Sequence, residues 1–354
     1  MIESTMPDEE LEFTEYEKMN KDITKFEDTS HFSKVSWMVT EKIHGANFSF
    51  HTDGKTVRTA RRRGLLDNGV NFFNCLTADF MKKQPEKMND AFRAVCSLHP
   101  EKEIVQVSVY GELFGGKYIV NGKALHKKNI GPIQHQVQYS PNIEWNAFDI
   151  SYRTKQDLDQ QAYVDADAAL KIFDDLGILY IKPLFIGPMN EALNYKLGFD
   201  STIPSILGLP PLEKGTNKAE GIVVKPVKNL VGTVEGEKQR VIVKVKLEEF
   251  IEMCRIPQPK ENKVKERSLQ AKIFDYANKM RLISAISKIG APKTPEIEEE
   301  IREEFMNDVF VDVKENEALQ TQWESADEET KVKIRDIMKR KVDGLIKQYK
   351  QNDS

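Results

Sequence analysis

At 354 residues the chain can hold two domains, and 40% hydrophobic residues supply a core for each. A net charge of −4 excludes a surface that is basic throughout and grips nucleic acid indiscriminately, yet cations gather at 58–63, 123–128, 244–246 and 260–272 while acids gather at 296–304 and 327–329. No apolar run reaches the about 18 residues of a membrane span, the acidic start does not read as a signal peptide, and Cys75, Cys96 and Cys254 share no metal-ligand spacing.

Leu11, Phe13, Tyr16 and Met19 recur at helical spacing, which predicts a short amphipathic cap with Tyr16 packed inward. Val35 to Val39 reads as a strand running into Glu41-Lys42-Ile43-His44-Gly45-Ala46-Asn47-Phe48, which sets one amine at a strand-to-turn junction. An exposed ammonium is no nucleophile, whereas a lysine enclosed among other cations can attack an electrophile. By spacing alone a lysine before a hairpin turn is usually a solvated strand end. Thr56 to Ala60 predicts a strand that feeds Arg61-Arg62-Arg63-Gly64, guanidinium groups suited to bidentate phosphate contact.

Residues 71–98 carry apolar side chains at helical spacing. Ile104 to Tyr110 alternates as a strand and ends in Gly111-Glu112, a carboxylate able to accept hydroxyl donors. Trp145 to Ile150 is another strand, whose Phe148 suits either a core or a purine stack. Residues 165–176 read as a helix and 178–181 as a strand, and prolines and glycines interrupt 182–218. Glu220-Gly221 heads a further strand, with Lys225 five residues beyond Glu220. A carboxylate among phosphates calls for Mg²⁺ between them. Val241 to Lys246 alternates so that Lys244 and Lys246 share a face.

After Phe250 the character changes. Pro257 and Pro259 mark a linker, residues 273–289 form a helix that stops at Gly290, and helices follow at 295–309, 314–323 and 327–349, with a weak strand signal only at 309–313.

Lys42-Ile43-His44-Gly45 resembles the nucleotidyl-accepting motif of the covalent nucleotidyltransferases, and Glu41 to Phe48 is similar to the RNA ligase 2 family of bacteriophages and the RNA-editing ligases. Arg62-x-Gly64, Tyr110-Gly111-Glu112, Phe148-Asp149-Ile150, Glu220-Gly221 to Lys225 and Lys244-x-Lys246 follow in that family's order. The resemblance implies an α+β fold: an N-terminal nucleotidyltransferase domain of antiparallel sheets with flanking helices at 1–252, a linker at 253–259 and an all-helical RNA-binding domain at 260–354.

It further implies that Lys42 carries AMP; that Glu41, Ile43, Asn47, Arg62, Glu112 (ribose), Phe148 (adenine), Lys244 and Lys246 meet ATP; that Glu220 serves Mg²⁺, with Mn²⁺ as a substitute; and that His44, Arg61, Arg63 and Lys225 face RNA, expected as a nicked duplex. A monomer in the cytoplasm, or the host cytoplasm for a viral protein, is expected. A capping enzyme or DNA ligase would carry a stranded OB-fold after the linker, and a silent binding relative would not keep the motif lysines. Ala46 stands where the family often has Thr, and residues 150–220 do not align with it securely.

Overall fold

The alternating runs in the first two-thirds of the chain fold as antiparallel ladders. In the computed structural model, which describes residues 11–67, 69–126, 130–250 and 268–352, they form β1 (Trp37–Lys42), β2 (Ala46–Thr52), β3 (Val57–Arg61), β4 (Gly64–Leu65), β5 (Ile104–Gly115), β6 (Ile119–Val120), β7 (Lys123–Ala124), β8 (Ile143–Thr154), β9 (Asp157–Tyr163), β10 (Pro183–Gly187), β11 (Gly221–Pro226), β12 (Val231–Val234), β13 (Glu237–Arg240) and β14 (Val243–Lys246). Helices α1 (Gln84–Leu98), α2 (Ala166–Asp175), α3 (Met189–Leu193) and α4 (Ile203–Ile206) lie between them. The chain divides into two compact units, Met1–Leu247 and Glu248–Ser354. The described part of the second is helical: α5 (Leu269–Phe274), α6 (Lys279–Ile289), α7 (Pro295–Glu315), α8 (Glu317–Ser325) and α9 (Glu328–Asn352). The fold is α+β.

In the first unit one sheet has the order β4-β3-β2-β5-β8-β9 and another the order β10-β1-β11-β14. Alternation along the strands gives each sheet one oily face. Phe48, Phe50, Val107, Val109, Leu113 and Trp145 pack under α1 and α2, and on the smaller sheet Trp37, Val39, Ile222 and Val224 pack with Phe26, Phe32 and Ala192. Lys42, Gly221, Lys244 and Lys246 are therefore on the opposite face of the smaller sheet, as are Asn47, Ser49, Gln106, Ser108, Tyr110 and Glu112 on the larger one.

The two inner faces meet through Tyr16, Tyr110 and Ile242, with Phe148, Tyr163 and Val223 against them. Beside this cluster Asp149 is fully buried and accepts from Arg240 at 2.7 and 3.2 Å and from Tyr16 at 2.9 Å, with Lys225 Nζ at 3.0 Å. His51 on the same layer is bonded to Ser49 and Ser108, and burial followed by the charge of Arg58 drops it to about 3. It stays neutral near pH 7 and belongs to the packing.

Four expectations change. Residues 11–19 form no helix, because distant partners take the backbone groups a helix would pair locally: Glu12 N–H donates to Gln106 at 3.1 Å, Gln106 donates back to Glu12 O at 2.9 Å, and Tyr110 donates to Thr14 O at 2.9 Å. Tyr16 is buried, as its spacing predicts. The strand expected at 178–181 shrinks to a single bridge between Ala147 and Tyr180.

The helix expected over 273–289 is two, since Asn278 caps α6 by accepting from Arg281 N–H. Residues 309–313 are helical: Ile301, Phe305, Val309 and Val313 bury one stripe at every fourth position, which outweighs the strand preference of valine. β9, β10 and the β12–β13 hairpin have no counterpart among the expected elements. The hairpin turns at Glu235 (φ 52°) and Gly236 (φ 79°), the left-handed pair of a tight hairpin. The expected linker at 253–259 lies outside the described residues. Among those described, no helix is long and apolar enough to cross a membrane.

Candidate active site

The site begins with strand register. Lys42, the last residue of β1, lies across from Gly221 at the head of β11, which lies across from Lys246 at the end of β14. Directly opposed residues share a face, so two lysines flank a glycine. A Cβ on Gly221 would sit 2.0 Å from Val245 O, and only glycine allows β14 this close.

Glu220, one residue earlier and 1% exposed, is held between the lysines. Its Oε2 is 2.8 Å from Lys42 Nζ and its Oε1 2.8 Å from Lys246 Nζ. Burial alone would push this carboxyl up, but Lys246, Lys42 and His44 together hold it well below the usual carboxylate range. Glu220 is thus an anion that accepts hydrogen bonds rather than a store for a proton.

The turn between β1 and β2 supplies the second wall. Gly45 N–H donates to Glu112 Oε1 at 3.1 Å, and a Cβ on Gly45 would meet Leu113 O at 2.2 Å, so the close approach needs glycine. Burial, reinforced by the nearby Glu220 charge, pushes Glu112 up to about 7 against the pull of Lys42, the Gly45 N–H and Lys246. His44 N–H donates to the buried Tyr139 hydroxyl at 2.8 Å, while the imidazole has Gln136 Oε1 3.0 Å from Nε2 and Glu220 Oε2 3.7 Å from Nδ1. Gln136 and Tyr139 lie in irregular chain between β7 and β8, where the sequence offers no periodicity to point at them.

Of the other sequence candidates, Asn47 and Lys244 join this face and Glu41 does not. Asn47 stands across from Glu112 on the inner face, and Ile43 is buried beneath the turn. Glu41 points to the far face of β1, where its carboxylate accepts from Ser201 Oγ at 2.6 Å and from Thr202 N–H and Oγ1 at 2.8 and 2.7 Å. Its side chain is therefore not among the groups around Lys42. Arg62 donates to Tyr16 O, and both Arg62 and Arg63 bind Glu15, at 3.1 and 3.0 Å, a partner from the segment expected to be a helix. Arg61 lies across from Phe48 at the end of β3.

Phe148 lies edge-on to Tyr16, ring centres 5.1 Å apart, and Lys244 shares the inner face with Lys246. Lys225 corrects the expectation of an RNA contact. It is 5% exposed, with its ammonium on Asp149 and on Phe148 O at 3.1 Å, because the alternation that aims Gly221 inward aims Lys225 inward too.

Among the described residues no group of three or more His, Cys, Asp or Glu is placed to hold a metal ion. A lone carboxylate such as Glu220 fits Mg²⁺ all the same, since that ion takes one or two carboxylates with substrate phosphates and keeps several waters.

Two facing sheets with an amine, two carboxylates and further lysines in the cleft match a known class of protein. The family model described as RNA ligase matches residues 35–246, well over half of the chain, and the chain belongs to that family. A second model, T4 RNA ligase 2 C-terminal, matches residues 260–343. The chain is 32% identical over 207 residues to mitochondrial RNA-editing ligase 2 of Trypanosoma brucei brucei, covering 53% of this chain and 48% of that one, so it spans about half the length of this relative. Mitochondrial RNA-editing ligase 1 of the same organism is 25% identical over 334 residues, 86% of this chain and 68% of that one. The solved structure of Naegleria gruberi RNA ligase with PPi aligns over 70% of this chain and 60% of that one at 12% identity, with a TM-score of 0.39.

Proposed function

We propose that the protein is an ATP-dependent RNA ligase that seals 3′-hydroxyl/5′-phosphate breaks, nicks in duplex RNA foremost, through lysyl-AMP and 5′-adenylylated RNA. The observation that supports this best is the row Lys42, Gly221, Lys246 with the Glu220 carboxylate held between the two amines. Lys42 in its neutral form attacks the α-phosphorus of ATP, and the bond to pyrophosphate breaks. Lys246 and Lys244 offset charge on the phosphates, and Glu112 accepts ribose hydroxyls. Glu220, together with the substrate phosphates, would hold Mg²⁺, which would supply positive charge against the polyphosphate.

A 5′-phosphate oxygen of RNA then attacks the lysine-bound phosphorus and frees Lys42. The neighbouring 3′-hydroxyl attacks the activated 5′-phosphate and AMP leaves. Arg62 and Arg63 reach phosphate once Glu15 is displaced. We assign nucleotidyl transfer to residues 1–252 and the grip on RNA to 260–354, acting as a monomer in the cytoplasm. The test is sealing of a 5′-labelled nick in duplex RNA with ATP and Mg²⁺: a joined, phosphatase-resistant product is expected, and intact protein that leaves the nick open refutes the assignment.

Glu112 gives this reading a pH dependence. Only its carboxylate accepts from a hydroxyl without offering a competing proton, and burial places its ionisation at about 7. ATP affinity should therefore rise by up to about tenfold from pH 6 to pH 8 as Glu112 ionises. Glu112→Gln should show a flat profile over the same interval, with the ATP dependence of self-adenylylation as the measurement. A variant that keeps the wild-type profile removes Glu112 from the nucleotide site.

A further inference from the structure

Asn146 is a buried polar residue whose carbonyl the fold leaves unsatisfied. It stands on β8 directly across from Glu112 of β5, and Asn47 of β2 stands across from Glu112 on the other side. The three side chains form a row on the inner face of the larger sheet, with neighbouring strands about 4.8 Å apart. Asn146 is 1% exposed and its Oδ1 has no hydrogen-bond partner. Buried amide oxygens are nearly always bonded to protein or to water, so an oxygen with no protein partner is open to a donor from outside the fold. Glu112 has one oxygen already committed to Gly45 N–H.

A ribose presents two hydroxyls on adjacent carbons, and each needs its own acceptor. A carboxylate beside an amide carbonyl is such a pair, since that carbonyl can only accept. Phe148, two residues along β8, places an aromatic ring on the same face, within a nucleoside's length.

We propose that Asn146 is a specificity-determining residue for the nucleotide: its Oδ1 accepts from one hydroxyl of the ribose diol while Glu112 takes the other, so the site selects ribonucleotides over deoxynucleotides. This rests on the reading of Glu112 as the ribose acceptor.

The experiment compares ATP, 2′-deoxy-ATP and 3′-deoxy-ATP in self-adenylylation by the full chain, in wild type, Asn146→Leu and Asn146→Ala. Leucine keeps the volume without the acceptor, alanine serves if leucine does not fold, and thermal melting reports folding. In the wild type one deoxy analogue should show a KM about ten- to a hundredfold above that of ATP. In the variant the KM for ATP should rise by a similar factor, the KM for that analogue should stay put, and kcat should change little, so their ratio collapses. A folded variant that keeps the wild-type ratio for both analogues overturns the proposal, as does an equal rise in all three KM values. A wild type that takes no label from ATP sinks the ligase reading itself, a distinct result from a labelled wild type with unchanged ratios.

Discussion

Lys42→Ala is expected to take no covalent label from ATP labelled in its α-phosphate, at least about a thousandfold below wild type, because no other amine in the row can take its place. Lys246 is the nearest candidate by register. It leaves from the far side of Gly221, on the other oxygen of Glu220. The variant should still fold, since Glu220 keeps Lys246 at 2.8 Å when Lys42 is removed. Sealing of RNA supplied with its 5′ end already adenylylated provides the control: the last step uses the 3′-hydroxyl and not the amine, so the variant should retain it. Label persisting in Lys42→Ala would place the nucleophile elsewhere, and loss of both activities would point to a collapsed site rather than a missing amine.

The second large effect concerns stability. Asp149→Ala removes the one carboxylate shared by Arg240 and Lys225, whose side chains are 4% and 6% exposed, and by the Tyr16 hydroxyl. Breaking such a buried set leaves uncompensated charge and costs about 3–5 kcal/mol, a large part of the about 5–15 kcal/mol that holds a typical domain folded. The midpoint of urea unfolding should fall accordingly, and labelling with ATP should weaken because Phe148 precedes Asp149 on β8. Burial opposes ionisation of Asp149, but Arg240 and Lys225 hold its carboxyl below the usual range. Its contribution is therefore complete above the unfolded carboxyl value of about 4 and is lost as pH falls below it. The gap between wild type and variant should narrow in acid from about pH 4 downward. Equal midpoints at pH 7 would show that this cluster does not tie the two sheets together.

Much of the chain's plan can be read in one dimension. Alternation in 104–110 and 241–246 is a local property of strands, and the four-residue spacing in the helical unit is a local property of helices, so both survive folding unchanged. The order of Lys42, Glu112, Glu220 and Lys246 along the chain marks the chemistry for the same reason: the first three are each tied to a short motif with its glycine, Gly45, Gly111 or Gly221, and Lys246 to an alternating strand end.

What the chain order leaves open is partnership. Whether a lysine faces solvent or a buried aspartate depends on which strand lies opposite, and Lys225 meets Asp149 only because two sheets close on each other. Glu15 reaches Arg62 and Arg63 across a separation no periodicity encodes, and residues 11–19 surrender helical bonds to Gln106 and Tyr110 for the same cause. The amino-acid sequence determined the strands that carry the motifs, the motif residues and the family. The tertiary structure decided which charges neutralise one another and which acceptor, Asn146, is left for a ligand, because pairing energies depend on distance in space and not on separation along the chain.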